Sequence, residues 1–83
     1  MRTIEIYSTS TCGFCKALKS FLDEQGIDYT DYDVSTDDVK RSEMQELFGG
    51  LAVPVIVFDK GHDTQEIQVG FDKEKVKLSL GLV

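Results

Sequence analysis

Residues 3–22 of this chain, TIEIYSTSTCGFCKALKSFL, place two cysteines at the point where a strand gives way to a helix. Thr3–Tyr7 alternates in polarity and is rich in strand-forming residues, so it predicts a first strand. Apolar residues then recur at helical spacing from Phe14 to Leu22, which predicts a first helix. Two cysteines three residues apart at such a junction, Cys12 and Cys15, are typical of a dithiol redox centre.

The two cysteines are expected to have different roles. The start of a helix carries unpaired N–H groups and a partial positive charge, and both stabilise a thiolate over a thiol. Cys12 lies at that start, whereas Cys15 lies one turn further in. We therefore predict that Cys12 attacks a disulfide and that Cys15 resolves the resulting intermediate. Thr9–Thr11 are candidates for capping the helix.

Length and composition narrow the class of protein. The 83 residues predict a single domain, residues 1–83, and two cysteines are too few for the framework of a disulfide-rich secreted mini-protein. The net charge of −6 comes with scattered lysines and arginines, which argues against nucleic-acid binding. The N-terminal residues carry no apolar run of signal-peptide type, and no segment is long and apolar enough for a membrane span. A cytoplasmic location, with the thiols normally reduced, is expected.

The middle of the chain predicts a second strand and a second helix. Gly26 is a natural stop for the first helix, and Ile27–Val34 follows as a strand. Ser35 or Thr36 is expected to cap the second helix, with Asp37 and Asp38 in its first turn. That helix is expected to pack through four apolar residues and to end at a glycine pair: Val39, Met44, Leu47, Phe48 and Gly49-Gly50.

The last third of the chain predicts a hairpin and a third helix. Val53–Phe58 is continuously apolar, as in a strand buried on both faces, and its proline is expected at the beginning of that strand. Turn residues follow, so Gln65–Val69 is expected to return as the hairpin partner. Asp72 is a candidate cap for the last helix, with Phe71 and Val76 spaced for a hydrophobic staple.

The predicted order is therefore β-α-β-α-β-β-α. The first two strands are joined through a helix and are expected to be parallel, whereas the last two form an antiparallel hairpin. One four-stranded mixed sheet with helices on both faces satisfies this order and places the chain in the α/β class.

Over nearly its whole length the chain resembles the glutaredoxin family of the thioredoxin fold. Four landmarks match in order: Tyr7-Ser8, the Cys12-x-x-Cys15 centre, Val53-Pro54, and Gly70-Phe71-Asp72. The resemblance implies that Pro54 is cis and faces the redox centre, and that the Val53 backbone binds an extended thiol substrate. It further implies that Gly70, Phe71 and Asp72 form the far wall of the site, with N–H groups of the last helix available to a carboxylate.

The electron donor is less clearly indicated by the resemblance. Glutathione-using members carry a lysine at the position of Thr9 and often a basic residue shortly before Val53-Pro54, where this chain has Gly50, Leu51 and Ala52. The pair Gly70-Phe71 instead resembles glutaredoxin-like redoxins that take electrons from thioredoxin reductase. Glutathione and thioredoxin reductase therefore both stay open as reductants.

Together these features predict a monomeric thiol–disulfide oxidoreductase without a permanently bound cofactor. It reduces protein disulfides or glutathione mixed disulfides and supplies electrons to thiol-dependent enzymes. Thr11, Gly13 and Phe14 are expected to contact the substrate beside Cys12. Two other functions stay open: a carrier that binds an iron–sulfur cluster through Cys12, since Gly13-Phe14 matches the cluster-binding branch, and a non-catalytic interaction module.

Several residues have competing interpretations. Phe14 either packs in the helix interface or contacts partners. Lys16 and Lys19 either form a solvated helix face or stabilise a thiolate. Zinc ligation by the two cysteines would need His62 and a carboxylate, whereas His62 alone is expected to be an exposed turn residue.

Overall fold

A computed structural model describes residues 2–50 and 52–82. The elements are β1 (Ile4–Ser8), α1 (Gly13–Glu24), β2 (Thr30–Asp33), α2 (Asp38–Phe48), β3 (Val55–Phe58), β4 (Glu66–Val69) and α3 (Lys73–Leu80). Their order is the predicted β-α-β-α-β-β-α. None of the helices in these two ranges is both long enough and apolar enough to cross a membrane.

The four strands form one mixed sheet in the order β2-β1-β3-β4. Strand β1 runs parallel to β2 and antiparallel to β3, with Ile6 opposite Ile56. Strand β4 pairs antiparallel with β3 and completes the hairpin. Because β1 and β3 lie in the middle, their apolar side chains are covered on both faces, as the continuous apolar run in β3 predicts. The predicted fold class is confirmed.

Alternation along β1 and β3 divides the core into two layers. The layer under α1 and α3 contains these buried residues: Ile4, Ile6, Leu18, Phe21, Leu22, Ile27, Ile56, Phe58 and Val76. The layer under α2 contains Tyr7, Val34, Met44, Val55 and Val57, with Leu47 and Phe48 packed against it. The helices therefore lie on both faces of the sheet.

A partly buried polar cluster links α2 to the sheet. The Tyr7 hydroxyl donates to Glu43 Oε1 at 2.5 Å, and Lys60 Nζ contacts both Glu43 and the Tyr7 oxygen. On the sheet, the Tyr32 hydroxyl donates to Glu5 at 2.6 Å. Burial and the carboxylate of Glu43 raise the pKa of Tyr7 to about 12, so its hydroxyl keeps the proton that it donates. Helix α2 is thus held by hydrogen bonds as well as by apolar contacts.

The N-terminal end of α2 differs from the prediction. Asp37, and neither Ser35 nor Thr36, is the N-cap, and its carboxylate accepts from the N–H of Lys40 at 3.0 Å. Asp33 accounts for the difference because it accepts the N–H of Ser35 at 2.9 Å and holds the preceding residues in a turn. Val39, predicted to pack, is 75% exposed.

Three strands are shorter than predicted, and β1 is shifted by one residue to Ile4–Ser8. Strand β2 covers Thr30–Asp33 because only these residues pair with β1. Strand β3 begins at Val55, directly after Pro54, which has no N–H to donate to the sheet. Strand β4 begins at Glu66 rather than one residue earlier. Helix α3 is capped by Asp72 as predicted, and Phe71 and Val76 lie in the same core layer.

Candidate active site

Cys12 occupies the N-cap of α1, with extended backbone angles of φ −84° and ψ 112°. Its Sγ accepts the backbone N–H of Cys15 at 3.1 Å, and its own N–H donates to the Thr9 carbonyl at 3.4 Å. A sulfur atom that accepts a helix N–H is placed to carry negative charge. The side chain is only partly buried, so Cys12 is the accessible thiol of the pair.

Cys15 lies behind Cys12 and is fully buried. Burial, followed by the hydrogen bond with Cys12, raises the pKa of the Cys15 thiol to about 11, and the backbone of Thr9 and the charge of Lys19 act in the opposite direction. A buried thiol that holds its proton is a poor first nucleophile. The two cysteines thus differ in access as their predicted roles require.

The loop before β3 lies against Cys12. The Val53–Pro54 peptide bond is cis, as the family resemblance implies. The Val53 carbonyl accepts a hydrogen bond from the Cys12 thiol, with 3.9 Å between Sγ and the oxygen. Val53 is partly exposed beside the thiol, whereas Pro54 is buried behind it. Leu51, named above among the residues before this loop, lies outside the described residues.

The turn before α3 is attached to the same loop. The N–H of Gly70 donates to the Pro54 carbonyl at 2.7 Å, and Gly70 has a φ of +83°, a left-handed conformation that favours glycine. The structure therefore brings Gly70, Val53 and Cys12 to the same end of the sheet.

Phe71 and Asp72 both make contacts within the protein. The Phe71 ring packs on Phe21 of α1, with 6.1 Å between centroids, and is a partly buried residue at the edge of the core layer under α1. The Asp72 carboxylate accepts the N–H groups of Glu74 and Lys75 at 3.1 and 3.3 Å. Asp72 therefore occupies two of the N–H groups in the first turn of α3, and the expectation that N–H groups at this helix start bind a substrate carboxylate stays a prediction.

The residues around Cys12 are open to solvent. Thr11 and Gly13 are exposed on either side of it, and Phe14 follows with 68% of its surface exposed. Of the two interpretations of Phe14, packing in the helix interface is therefore wrong. His62 is exposed in the turn after β3, as predicted. Within the two described ranges, no group of three or more histidine, cysteine or acidic side chains is arranged to hold a metal ion.

The sequence analysis missed a hydrogen-bonded triad next to the site. The Ser8 hydroxyl, almost completely buried, donates to Asp31 Oδ1 at 2.7 Å, and Lys19 Nζ donates to Asp31 Oδ2 at 3.1 Å. The only local signal was a serine at the end of an otherwise apolar strand. Its partners are 11 and 23 residues further along the chain, as the residue numbers show.

Comparison with known proteins decides the family. The family model described as Glutaredoxin matches residues 4–62, which include both cysteines and the cis-proline loop. The chain belongs to the glutaredoxin family. This membership supports chemistry of the thiol–disulfide oxidoreductase type.

Two curated glutaredoxin-type relatives align with most of the chain. An uncharacterised glutaredoxin-like 8.6 kDa protein encoded in the rubredoxin operon of Clostridium pasteurianum is 41% identical over 73 residues, 88% of this chain and 91% of the relative. Glutaredoxin 3 of Escherichia coli K12 is 32% identical over 62 residues, 75% of each chain.

Solved structures agree on the fold. The crystal structure of the thioredoxin-like protein BC3987 superposes with a TM-score of 0.81 at 27% identity, covering 93% of this chain and 99% of the other. The glutaredoxin of Archaeoglobus fulgidus superposes with a TM-score of 0.78 at 24% identity, covering 96% and 87%. At that identity the second comparison bears on the fold alone.

Proposed function

We propose that this glutaredoxin reduces the disulfides of proteins, and glutathione mixed disulfides, through its Cys12/Cys15 dithiol in the cytoplasm. The observation that carries the proposal is the arrangement of the two thiols: Cys12 is accessible at a helix start and hydrogen-bonded to the N–H of Cys15, whose own thiol is buried behind it. An accessible attacking thiol with a second thiol held next to it is what a two-step exchange requires.

The reaction proceeds in two exchanges. The Cys12 thiolate attacks one sulfur of the substrate disulfide, the substrate S–S bond breaks, and a mixed disulfide on Cys12 forms. The first substrate sulfur leaves as a thiolate and takes a proton from water. Cys15 then loses its proton and attacks Cys12 Sγ, which releases the second substrate sulfur and leaves the Cys12–Cys15 disulfide. An external reductant restores the dithiol.

The surface around Cys12 is suited to an extended protein substrate. Val53 offers backbone groups beside the thiol, and Phe14, two residues after Cys12, presents an exposed aromatic ring. We expect Phe14→Ser to raise KM for a protein disulfide several-fold while leaving the reduction of a small dialkyl disulfide unchanged. Val39→Ser, at an exposed apolar residue of α2, is the matched control and should change neither rate. Equal effects of Phe14→Ser on both substrates would exclude Phe14 as a protein contact.

Two observations bear on the reductant. The position at which glutathione-using members have a lysine is Thr9, and the N–H groups of Glu74 and Lys75 in the first turn of α3 are hydrogen-bonded to Asp72. Both reduce the number of groups available to the carboxylates of glutathione. We therefore propose thioredoxin reductase as the more effective electron donor, with glutathione as the alternative.

Parallel coupled assays test the function and the donor together. NADPH oxidation is followed with thioredoxin reductase in one series and with glutathione and glutathione reductase in the other. We expect turnover with the wild-type protein, none with Cys12→Ser, and a trapped mixed disulfide, detected by its mass, with Cys15→Ser. Disulfide reduction that survives in Cys12→Ser would refute the proposed function. Faster turnover with glutathione would refute only the proposed donor.

A further inference from the structure

The triad of Ser8, Asp31 and Lys19 joins three elements at the end of the sheet that carries the cysteines. Strand β1 supplies Ser8, β2 supplies Asp31 and α1 supplies Lys19. Asp31 lies opposite Ile6 in the sheet, yet its carboxylate accepts from Ser8, two residues nearer the redox centre. The carboxylate therefore joins the Lys19 ammonium to the end of β1 that leads into the redox centre.

Lys19 lies on the same face of α1 as Cys15. Residues four apart on a helix have Cβ atoms about 6 Å from each other, and helical side chains lean toward the N-terminus, which for Lys19 is the direction of Cys15. The β1 end of the triad also borders the redox centre, since the carbonyl of Thr9, directly after Ser8, accepts the N–H of Cys12. Lys16 follows Cys15 immediately and projects from a different face of the helix.

The charged and titratable groups around this thiol are few. Cys12 and Lys19 face it from α1, and the Thr9 backbone faces it from the end of β1. Lys19 in turn faces Asp31 and Asp33 of β2 and the Tyr29 ring before that strand. Among these groups Lys19 is the one cation, and its charge opposes the effect of burial on Cys15.

We propose that Lys19, held in place by Asp31 and Ser8, is a positioning residue that favours the thiolate of Cys15 and so speeds release of the substrate from Cys12. This inference rests on the proposed function, because it concerns the second exchange. In that step the Cys15 proton goes to water, Cys15 Sγ bonds to Cys12 Sγ, and the bond between Cys12 and the substrate sulfur breaks. The electron pair leaves with the substrate thiolate, which takes a proton from water.

Stopped-flow reaction of the reduced protein with dithiobis(nitrobenzoate), an aromatic disulfide whose released thiolate is coloured, separates the two exchanges. The first release depends on reagent concentration and reports Cys12. The second release is independent of that concentration and reports Cys15. We expect Lys19→Gln to leave the first phase unchanged, to slow the second about three- to tenfold near neutral pH, and to move its pH midpoint upward by about half to one unit.

Two further variants complete the test. Lys19→Arg keeps the charge and should retain a second phase close to that of the wild type. Lys16→Gln removes a neighbouring charge from another face of α1 and should change neither phase. An unchanged second phase in Lys19→Gln, or equal slowing by Gln and Arg, would overturn the proposed role of Lys19. If the wild-type protein showed no first phase that depends on Cys12, the proposed function itself would be refuted.

Discussion

Replacing Glu43 by glutamine should loosen helix α2 without altering its shape. The Glu43 carboxylate accepts from Tyr7 at 2.5 Å and from Lys40 at 3.2 Å, and it also contacts Lys60. About a quarter of the Glu43 side chain is exposed. The hydrogen bonds from Lys60 and Tyr7 lower the pKa of this carboxyl to about 2. Glutamine preserves the size of the side chain and one acceptor oxygen but removes the charge.

The expected cost follows from the kind of hydrogen bond that is lost. A hydrogen bond to a charged group contributes about 1.5–3 kcal/mol, whereas a neutral one contributes about 0.5–1.5 kcal/mol. Since the cluster is partly open to water, we expect the free energy of unfolding to fall by about 1–2 kcal/mol in Glu43→Gln. For a domain of this size that loss corresponds to a Tm lower by roughly 5–10 °C.

The effect of Glu43→Gln should depend on pH in a defined direction. The pKa of Glu43 is about 2 in the folded protein and 4.5 in its ordinary state. Its stabilising contribution is therefore complete above pH 4.5 and is lost as the pH falls from there toward 2, because the folded carboxylate must then be protonated. The stability difference between wild type and Glu43→Gln should accordingly be largest near neutral pH and should close in acid.

Urea unfolding followed by far-ultraviolet circular dichroism, at a series of pH values from neutral to acid, measures this difference. Glu46→Gln, at an exposed position of the same helix, is the control and should stay within about 0.5 kcal/mol of the wild type. A stability loss in Glu43→Gln that does not change with pH would refute the electrostatic argument. A loss equal to that of Glu46→Gln would refute the role of the cluster.

Four further substitutions test other parts of the fold. Arg2 donates through its guanidinium to Asp59, to Glu66 and to two backbone carbonyls, and the group lies 5.0 Å from the centre of the Phe58 ring. Because Arg2→Ala removes these contacts, thermal unfolding should show a free energy of unfolding lower by about 2 kcal/mol. Asp72→Ala removes the cap of α3 and should lower the urea midpoint by an amount equivalent to about 1 kcal/mol. Gly70→Ala forces a side chain into a left-handed conformation and should cost about 1 kcal/mol by the same unfolding assay. Gly13→Ala, with an open and unstrained position at the helix start, should be near neutral.

The order of the elements could be predicted from the sequence because periodicity and turn residues are local signals. The exposure of Val39 to solvent could not be predicted from these local signals. Met44 lies five positions after Val39, and at about 100° per residue the two side chains project about 140° apart around the helix. Once Met44 enters the core, Val39 must face solvent, whereas Leu47 and Phe48 stay within reach of the sheet. Apolar character alone did not distinguish these residues.

Helix capping shows a second limit of local reasoning. Ser35, Thr36 and Asp37 are all favourable N-cap residues and follow one another directly. The choice is made by Asp33, which hydrogen-bonds Ser35 and accepts the N–H of Asp37 through its carbonyl at 3.0 Å. The helix can therefore begin only after Asp37. A residue at the end of the preceding strand decides where the next helix starts.

The candidate site likewise combines residues that the sequence predicts with contacts that it does not predict. The positions of Cys12, Cys15 and Val53 could be predicted because a helix start and recognisable landmarks mark them. The contacts of Ser8, Asp31 and Lys19 could not, because they arise only when β1, β2 and α1 assemble. Asp72 belongs to the predictable part as a helix cap, since its carboxylate accepts the N–H groups of Glu74 and Lys75, whereas its contact with a substrate stays a prediction.

The redox centre and the hydrogen bonds that hold α2 to the sheet lie on opposite faces of the sheet. The redox centre and the Lys19 triad lie on the face covered by α1, whereas Glu43 and its partners lie on the face covered by α2. Alternation along β1 places Ser8 on the first face and Tyr7 on the second. Since the two clusters share no side chain, their perturbations should add rather than couple. Glu43→Gln should therefore change the unfolding free energy but not the rate of the second thiol-release phase. In the double variant with Lys19→Gln, the losses of unfolding free energy should add. The second phase of the double variant should be as slow as that of Lys19→Gln alone. A slowed second phase in Glu43→Gln by itself would mean that the sheet transmits changes between its faces.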